Sequence, residues 1–286
     1  MKTNLSIIPI AFILLFTGCD PGIKPDNKVV DNKVTKDPLP SWNNTNNKQM
    51  ILDFVAKVTD SSGKDFVPEK DRIAVFDNDG TLWCEQPLYF EFVYSFNVMK
   101  DIIPKHPELL KKPEIKALAE GDKMTFLKSG EKGLLEVFAL SHTMQDIDKF
   151  RETAKNWLDT ATHEKFKKKY VELTYKPMVE LLEYLRANDF TTYIVSGGSS
   201  MFIRNFSDEA YGIPSGQVIG SMLKAEFVQK DSTFQIKLLP DVFHIDDNVG
   251  KPVGIYQFIG KKPILAFGNS DGDLQMLQWT TTAYSV

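Results

Sequence analysis

"RIAVFDNDGTLW", Arg72 to Trp83, decides how the rest of the chain is read. Ile73 to Phe76 are four consecutive apolar residues, the pattern of a strand buried on both faces. The run stops at Asp77 and Asp79, which are separated by Asn78 and followed by Gly80 and Thr81. Two like charges this close repel, so one of them holds its proton unless a cation intervenes. An Asp-x-Asp pair at a strand end suits metal binding, sugar-nucleotide binding or a solvated turn, and by itself does not choose among them.

The downstream pattern narrows the choice. Pro177 sits in the first turn of a predicted helix with Met178, Leu181, Leu182 and Leu185 on one face. "FTTYIVSGGSS" is β-branched and aromatic, and predicts a strand running into a glycine-rich turn at Gly197, Gly198 and Ser199, with a helix from Met201. "SMLKAEFVQKDSTFQIKLLP" alternates about Lys230, Asp231 and Ser232 and predicts a hairpin. Gly250-Lys251-Pro252 opens another helix, and Pro263 to Phe267 reads as a strand ending in "GNSDGD". Strands alternating with helices predict an α/β fold, a doubly wound and mainly parallel sheet with helices on both faces.

Between the first two strands, residues 88–171 are helical in pattern and too long for one crossover, so an inserted helical domain is expected. In open α/β sheets ligands bind beyond the carboxyl ends of the strands. Those ends carry Asp77 and Asp79, then Ser196, then Asn269, Asp271 and Asp273. Ser196, backed by Gly197 and Gly198, offers donors to a phosphate oxygen without bulk in the way. Lys251 offers a charge to neutralise a phosphoryl group, and the motif around Asn269 offers hard oxygen ligands of the kind Mg2+ prefers.

With these pieces assembled, the chain resembles the haloacid dehalogenase-like superfamily. "VFDNDGTLW" is similar to its first motif, "YIVSGG" to its second, "GKP" to its third and "FGNSDGD" to its fourth, in family order from about Ile73 to Leu277. The serine-rich second motif resembles the phosphoserine-phosphatase-like branch, as does a helical cap inserted after the first. The resemblance implies a Rossmann-like core and Mg2+-dependent hydrolysis of a small phosphorylated substrate. It implies that Asp77 is the nucleophile and Asp79 the general acid and base. Ser196, Gly197 and Lys251 would hold the phosphoryl oxygens, and Asp77, Asp79, Asn269 and Asp273 would hold the metal. Asn269 departs from the pattern, standing where the family usually has an acid, and Asp271 is the alternative ligand. The resemblance also leads one to expect a further sheet element after the fourth motif, with Ala283–Val286 as its possible start. Dehalogenase chemistry fits less well, because Asp79 marks the phosphoryl-transferring members.

The chain's 286 residues, 42% of them hydrophobic, suffice for a substantial core, and the net charge of -4 argues against a nucleic-acid partner. "MKTNLSIIPIAFILLFTGC" has a positive start and a short apolar core, as an export signal does. Leu15 to Cys19 resembles a bacterial lipobox, which implies lipidation of Cys19 and a membrane anchor in the cell envelope, on the periplasmic or extracellular side. The alternative is a plain secretory signal. Residues 1–19 are read as this signal, 20–48 as a polar tether, 49–87 and 172–286 as the core, and 88–171 as the cap. The helix ahead of the first strand carries Ile51, Leu52, Phe54, Val55 and Val58 on one face.

Cys84 reads as a small buried hydrophobe. His142 and His163 lack the partners or spacing of a zinc site, and His244 with Asp246 and Asp247 reads as a solvated loop. Trp83 suits either stacking on a substrate or packing, and Glu85 either the active-site mouth or the surface. A functional reading of a different class is a non-catalytic surface lipoprotein that acts as a binding protein.

Overall fold

The computed structural model describes residues 37–143 and 146–282. The signal segment, Cys19 and Ala283–Val286 lie outside the described residues. Among the described residues no helix is long and apolar enough to cross a membrane.

The chain runs α1 (Asn46–Thr59), β1 (Ile73–Phe76), α2 (Phe90–Ile102), α3 (Pro113–Glu120), α4 (Lys123–Lys128), α5 (Gly130–Thr143), α6 (Ile147–Thr160), α7 (Lys176–Arg186) and β2 (Thr191–Ser199). It continues through α8 (Ser200–Ile203), α9 (Ser207–Tyr211), the hairpin β3 (Val218–Lys230) and β4 (Thr233–His244), α10 (Gly250–Ile259), β5 (Leu265–Phe267) and α11 (Leu274–Thr281). The sheet order is β4-β3-β2-β1-β5. β1 pairs parallel with β2 and β5, β2 pairs parallel with β3, and only β4 runs antiparallel.

The continuous apolar run of β1 is explained by what covers each face. Side chains alternate along a strand, so Ala74 and Phe76 point one way and Ile73 and Val75 the other. Ala74 and Phe76 join a cluster with Val55 and Val58 of α1 and Leu181, Leu182 and Leu185 of α7. Ile73 and Val75 pack with Val195, Ile219, Ile255 of α10 and Met276 of α11. Both faces are dry. Each of the three α7 leucines is fully buried, which contributes about 1.5–3 kcal/mol per side chain.

Part of the helical insert carries an apolar cluster of its own, built from Met99, Ile103, Leu109, Ile115, Phe126 and Val137. Other parts join the main core instead: Phe90 and Tyr94 of α2, and Phe150, Ala154 and Leu158 of α6.

Two local expectations are corrected. The tether predicted through residue 48 ends sooner, because residues 37–48 pack on the core. Leu39 is fully buried, the Trp42 indole N–H donates to the Pro177 carbonyl at 2.8 Å, and buried Lys48 pairs with Asp37 at 2.6 Å. The polar composition concealed three anchoring side chains. Gly197 to Ser199 continue β2 rather than turning, and the pairing with β3 shifts register between Ser196 and Ser199.

Register brings the strand ends together. Phe76 lies opposite both Ile194 and Phe267, so the next residues, Asp77, Ser196 and Asn269, emerge along one edge of the sheet.

Candidate active site

Asp77 is fixed by the strand it leaves. Its N–H donates to the Phe267 carbonyl at 2.9 Å, extending the β1–β5 pairing by one bond. The chain then turns sharply around Asn78, whose carbonyl accepts from the N–H groups of Thr81, Leu82 and Trp83 at 3.2, 2.8 and 3.2 Å. Asn78 is fully buried, and its side-chain oxygen accepts from the buried Tyr211 hydroxyl at 3.1 Å. Gly80 has φ +83°, and a Cβ there would lie 2.2 Å from the Asn269 amide. Both the backbone conformation and the space require glycine.

Lys251 enters from the first turn of α10. Its Nζ donates to Asp77 Oδ1 at 2.6 Å, to Asp273 Oδ1 at 2.5 Å and to the Val195 carbonyl at 2.9 Å. All three side chains are buried. Burial pulls the Lys251 ammonium down, but the charges of Asp77 and Asp273 more than offset it, and the net direction is up. Asp273 Oδ2 accepts from the backbone N–H groups of Asn269 and Ser270 at 2.9 and 3.0 Å. Asp273 thus braces the loop and the lysine, with both oxygens engaged, rather than presenting a free ligand.

The two motif aspartates differ in surroundings. Burial raises the Asp77 carboxyl to about 6, with Lys251 opposing and Asp273 adding to the rise. Burial raises Asp79 to about 7, reinforced by the charge of Asp77, while the Trp83 indole N–H holds it down from 2.8 Å. At neutral pH Asp79 is therefore divided between acid and base forms, and Asp77 is mostly ionised.

Ser196 is buried beside them, and its Oγ accepts from the Gly198 N–H at 3.1 Å, which leaves its O–H to donate. Ser196 and Gly197 both line the cavity above Asp77, and the Gly197 carbonyl accepts from Ser221 Oγ at 2.8 Å.

The Asn269 amide places one terminal atom 3.2 Å from Asp77 Oδ2, 2.9 Å from Thr81 Oγ1 and 3.0 Å from the Asp79 carbonyl oxygen. Oxygens surround that atom, so it is the amide nitrogen, assigned from its partners. A carboxylate, a carbonyl and a hydroxyl thus already converge on one donor. Among the described residues no cluster of three or more His, Cys, Asp or Glu side chains is arranged to hold a metal. The convergent set instead suits Mg2+, which keeps several waters and takes few protein oxygens. Asp77, the Asp79 carbonyl and Asn269, with its amide turned to present oxygen, would hold it. Asp271 is exposed.

Several contributors escaped the sequence reading. His244 and Asp246 are not a solvated loop: Asp246 is fully buried and bonded to His244 at 3.1 Å. A Cβ at Gly254 would lie 2.4 Å from Asp246, so that glycine lets α10 approach and deliver Lys251. Trp83 packs instead of meeting a substrate, stacking on Phe206 at 4.3 Å. Glu91 of α2 accepts from the Ser199 N–H at 2.8 Å and faces His142 of α5 at 3.0 Å, tying the helical insert to β2. Glu91 and His142 are 51 residues apart, and no spacing rule connects them.

A family model described as haloacid dehalogenase-like hydrolase matches residues 74–278. A search of curated proteins found no match. Among solved structures, a conserved protein of unknown function from Anaerococcus prevotii DSM 20548 is similar, with a TM-score of 0.53 and 16% identity, over 81% of this chain and 82% of that one. A phosphoserine phosphohydrolase-like protein from Francisella tularensis subsp. tularensis SCHU S4 matches with a TM-score of 0.36 and 20% identity, over 72% of this chain and 82% of that one.

Proposed function

The chain belongs to the haloacid dehalogenase-like hydrolases, and from that premise we propose that it is a Mg2+-dependent phosphatase acting on a small phosphomonoester. The observation that carries the reading is the division between two neighbouring carboxyls. Asp77 is bonded to a buried lysine, while Asp79, two residues on, accepts from the Trp83 indole N–H instead, and burial pushes its carboxyl up. A serine at the end of β2 and a helical insert after β1 support the phosphoserine-phosphatase-like branch.

In this mechanism the Asp77 carboxylate attacks phosphorus as the ester P–O bond breaks. The leaving oxygen takes the Asp79 proton. Asp79, now ionised, takes a proton from water as that water attacks the aspartyl-phosphate, and the P–O bond to Asp77 breaks to release phosphate. Ser196 donates toward the phosphoryl oxygens, and the Lys251 ammonium, held by Asp77, Asp273 and the Val195 carbonyl, offsets their charge. When bound, Mg2+ would supply the positive charge that screens the phosphoryl dianion and keeps Asp77 ionised.

The proposal includes export and anchoring in the bacterial cell envelope, supported by the lipobox-like segment ending at Cys19. A second reading, a weakly active binding lipoprotein, rests on Asn269 standing where an acid is usual. One assay separates them: the full-length chain with Mg2+ and an aryl phosphate. Turnover that falls by about a thousandfold or more in Asp77→Asn supports the phosphatase. A folded, metal-supplied protein inactive on a broad ester panel overturns it.

A further inference from the structure

The cavity above Asp77 has a volume of about 660 Å³, room for an organic body well beyond a phosphoryl group. Its floor is polar, with Asp77, Asp79, Ser196 and Lys251. Its walls are not. α2 contributes Phe92, α5 contributes Leu134, Leu135 and Phe138, and the hairpin contributes Leu223 and Val242. Leu223 and Val242 lie directly opposite each other in the β3–β4 register, so they share a face.

The charges around this space are one-sided. Among the described residues lining the cavity, Lys251 is the only lysine or arginine, and it is already bonded to Asp77 and Asp273. Glu85 and Asp247 add carboxylates to the lining. Tyr89, at the same mouth, has its phenol pushed up by burial and then by the charges of Glu85, Asp79, Asp77 and Asp247. A substrate with a second anionic group would meet carboxylates with no free lysine or arginine in the lining to answer it.

We propose that the alcohol released here carries an apolar body, alkyl or aryl, and no second anionic group. This rests on the phosphatase reading above and names its substrate class. The apolar body would lie between α5 and the hairpin while the phosphoryl group reaches Asp77. Each methylene buried along those walls is worth about fourfold in binding.

The test uses the full-length chain with Mg2+ and measures kcat/KM for ethyl, butyl, hexyl and 1-naphthyl phosphate, against phosphoserine and aminoethyl phosphate. The ratio rises about two- to fourfold per methylene along the alkyl series, and phosphoserine falls at least a hundredfold below hexyl phosphate. Leu135→Asn alters a side chain that is 48% exposed. It lowers kcat/KM for the hexyl ester several-fold more than for the ethyl ester. A flat alkyl series, or a preference for phosphoserine or aminoethyl phosphate, overturns this inference while leaving the phosphatase in place. No turnover on any ester overturns both.

Discussion

Lys251 Nζ lies 2.6 Å from Asp77 Oδ1, with both side chains buried, and the same ammonium reaches Asp273 at 2.5 Å. One cation thus sits between two acids at the end of β1. Removing it leaves buried charge uncompensated. Lys251→Met is expected to destabilise the fold by about 3 kcal/mol or more, a loss of roughly 6–12 °C in Tm. Because Lys251 opposes the rise of the Asp77 carboxyl above its ordinary range, the variant also leaves less Asp77 ionised at pH 7. The drop in kcat is expected to be about a hundredfold or more. Thermal melts and steady-state kinetics check both, and an unchanged Tm would show that the triad adds no net stability.

Asn269 meets Asp77, Thr81 and the Asp79 carbonyl with its amide nitrogen. Asn269→Asp replaces that donor with a third carboxylate. Without metal, repulsion lowers Tm; with Mg2+, the extra charge tightens binding by roughly tenfold. Metal titrations followed by thermal shift and by activity read the two effects separately. Unchanged or weaker Mg2+ affinity would place Asn269 outside the metal's ligand set.

Trp83 donates to Asp79 at 2.8 Å and so favours the ionised carboxylate. Asp79 must be protonated to serve the leaving group, so kcat/KM falls as pH rises through about 7. Trp83→Phe removes the donor and keeps an aromatic ring against Phe206. The ionised form loses a bond, the pKa rises, and the falling limb moves to higher pH by roughly one unit. A limb that stays in place or moves down would show that this bond does not govern the Asp79 proton.

Glu91 and His142 form a buried pair between α2 and α5, 9% and 1% exposed. The Phe138 carbonyl accepts from His142 Nδ1 at 2.8 Å, and His142 Nε2 lies 3.0 Å from Glu91 Oε1. His142→Ala is expected to cost about 3 kcal/mol or more by stranding the carboxylate. The double variant Glu91→Leu/His142→Phe recovers most of that, since an apolar replacement removes both desolvated polar groups. Urea unfolding of the single and double variants measures the coupling, and additive losses would argue against an ion pair.

Some of this was legible in the residues themselves. Ile73 to Phe76 read as a strand dry on both faces, and α1 and α7 pack on one side and α10 and α11 on the other. The hairpin about Lys230 to Ser232 and the grouping of strand ends followed from alternation and order. Harder to see was Asp273, expected to bind metal: its carboxylate instead braces Lys251 and the Asn269 and Ser270 amides. Leu39, Trp42 and Lys48 hid within a polar stretch that composition marks as tether.

By itself the sequence determined the alternating α/β order, the acid pair after the first buried strand and the positions of serine, lysine and asparagine at later elements. These are local properties, written in periods of two and 3.6 residues and in short motifs. Only the tertiary structure decided how charge is distributed among them. Trp83 on Asp79, Tyr211 on Asn78, His142 on Glu91 and Asp246 beneath α10 are set by packing. Such contacts depend on which faces meet and how much water is excluded, and no one-dimensional pattern records either. The pair that opened the chain's reading thus became an unequal pair, Asp77 beside a buried cation and Asp79 holding its proton into the neutral range, because burial and neighbours differ two residues apart.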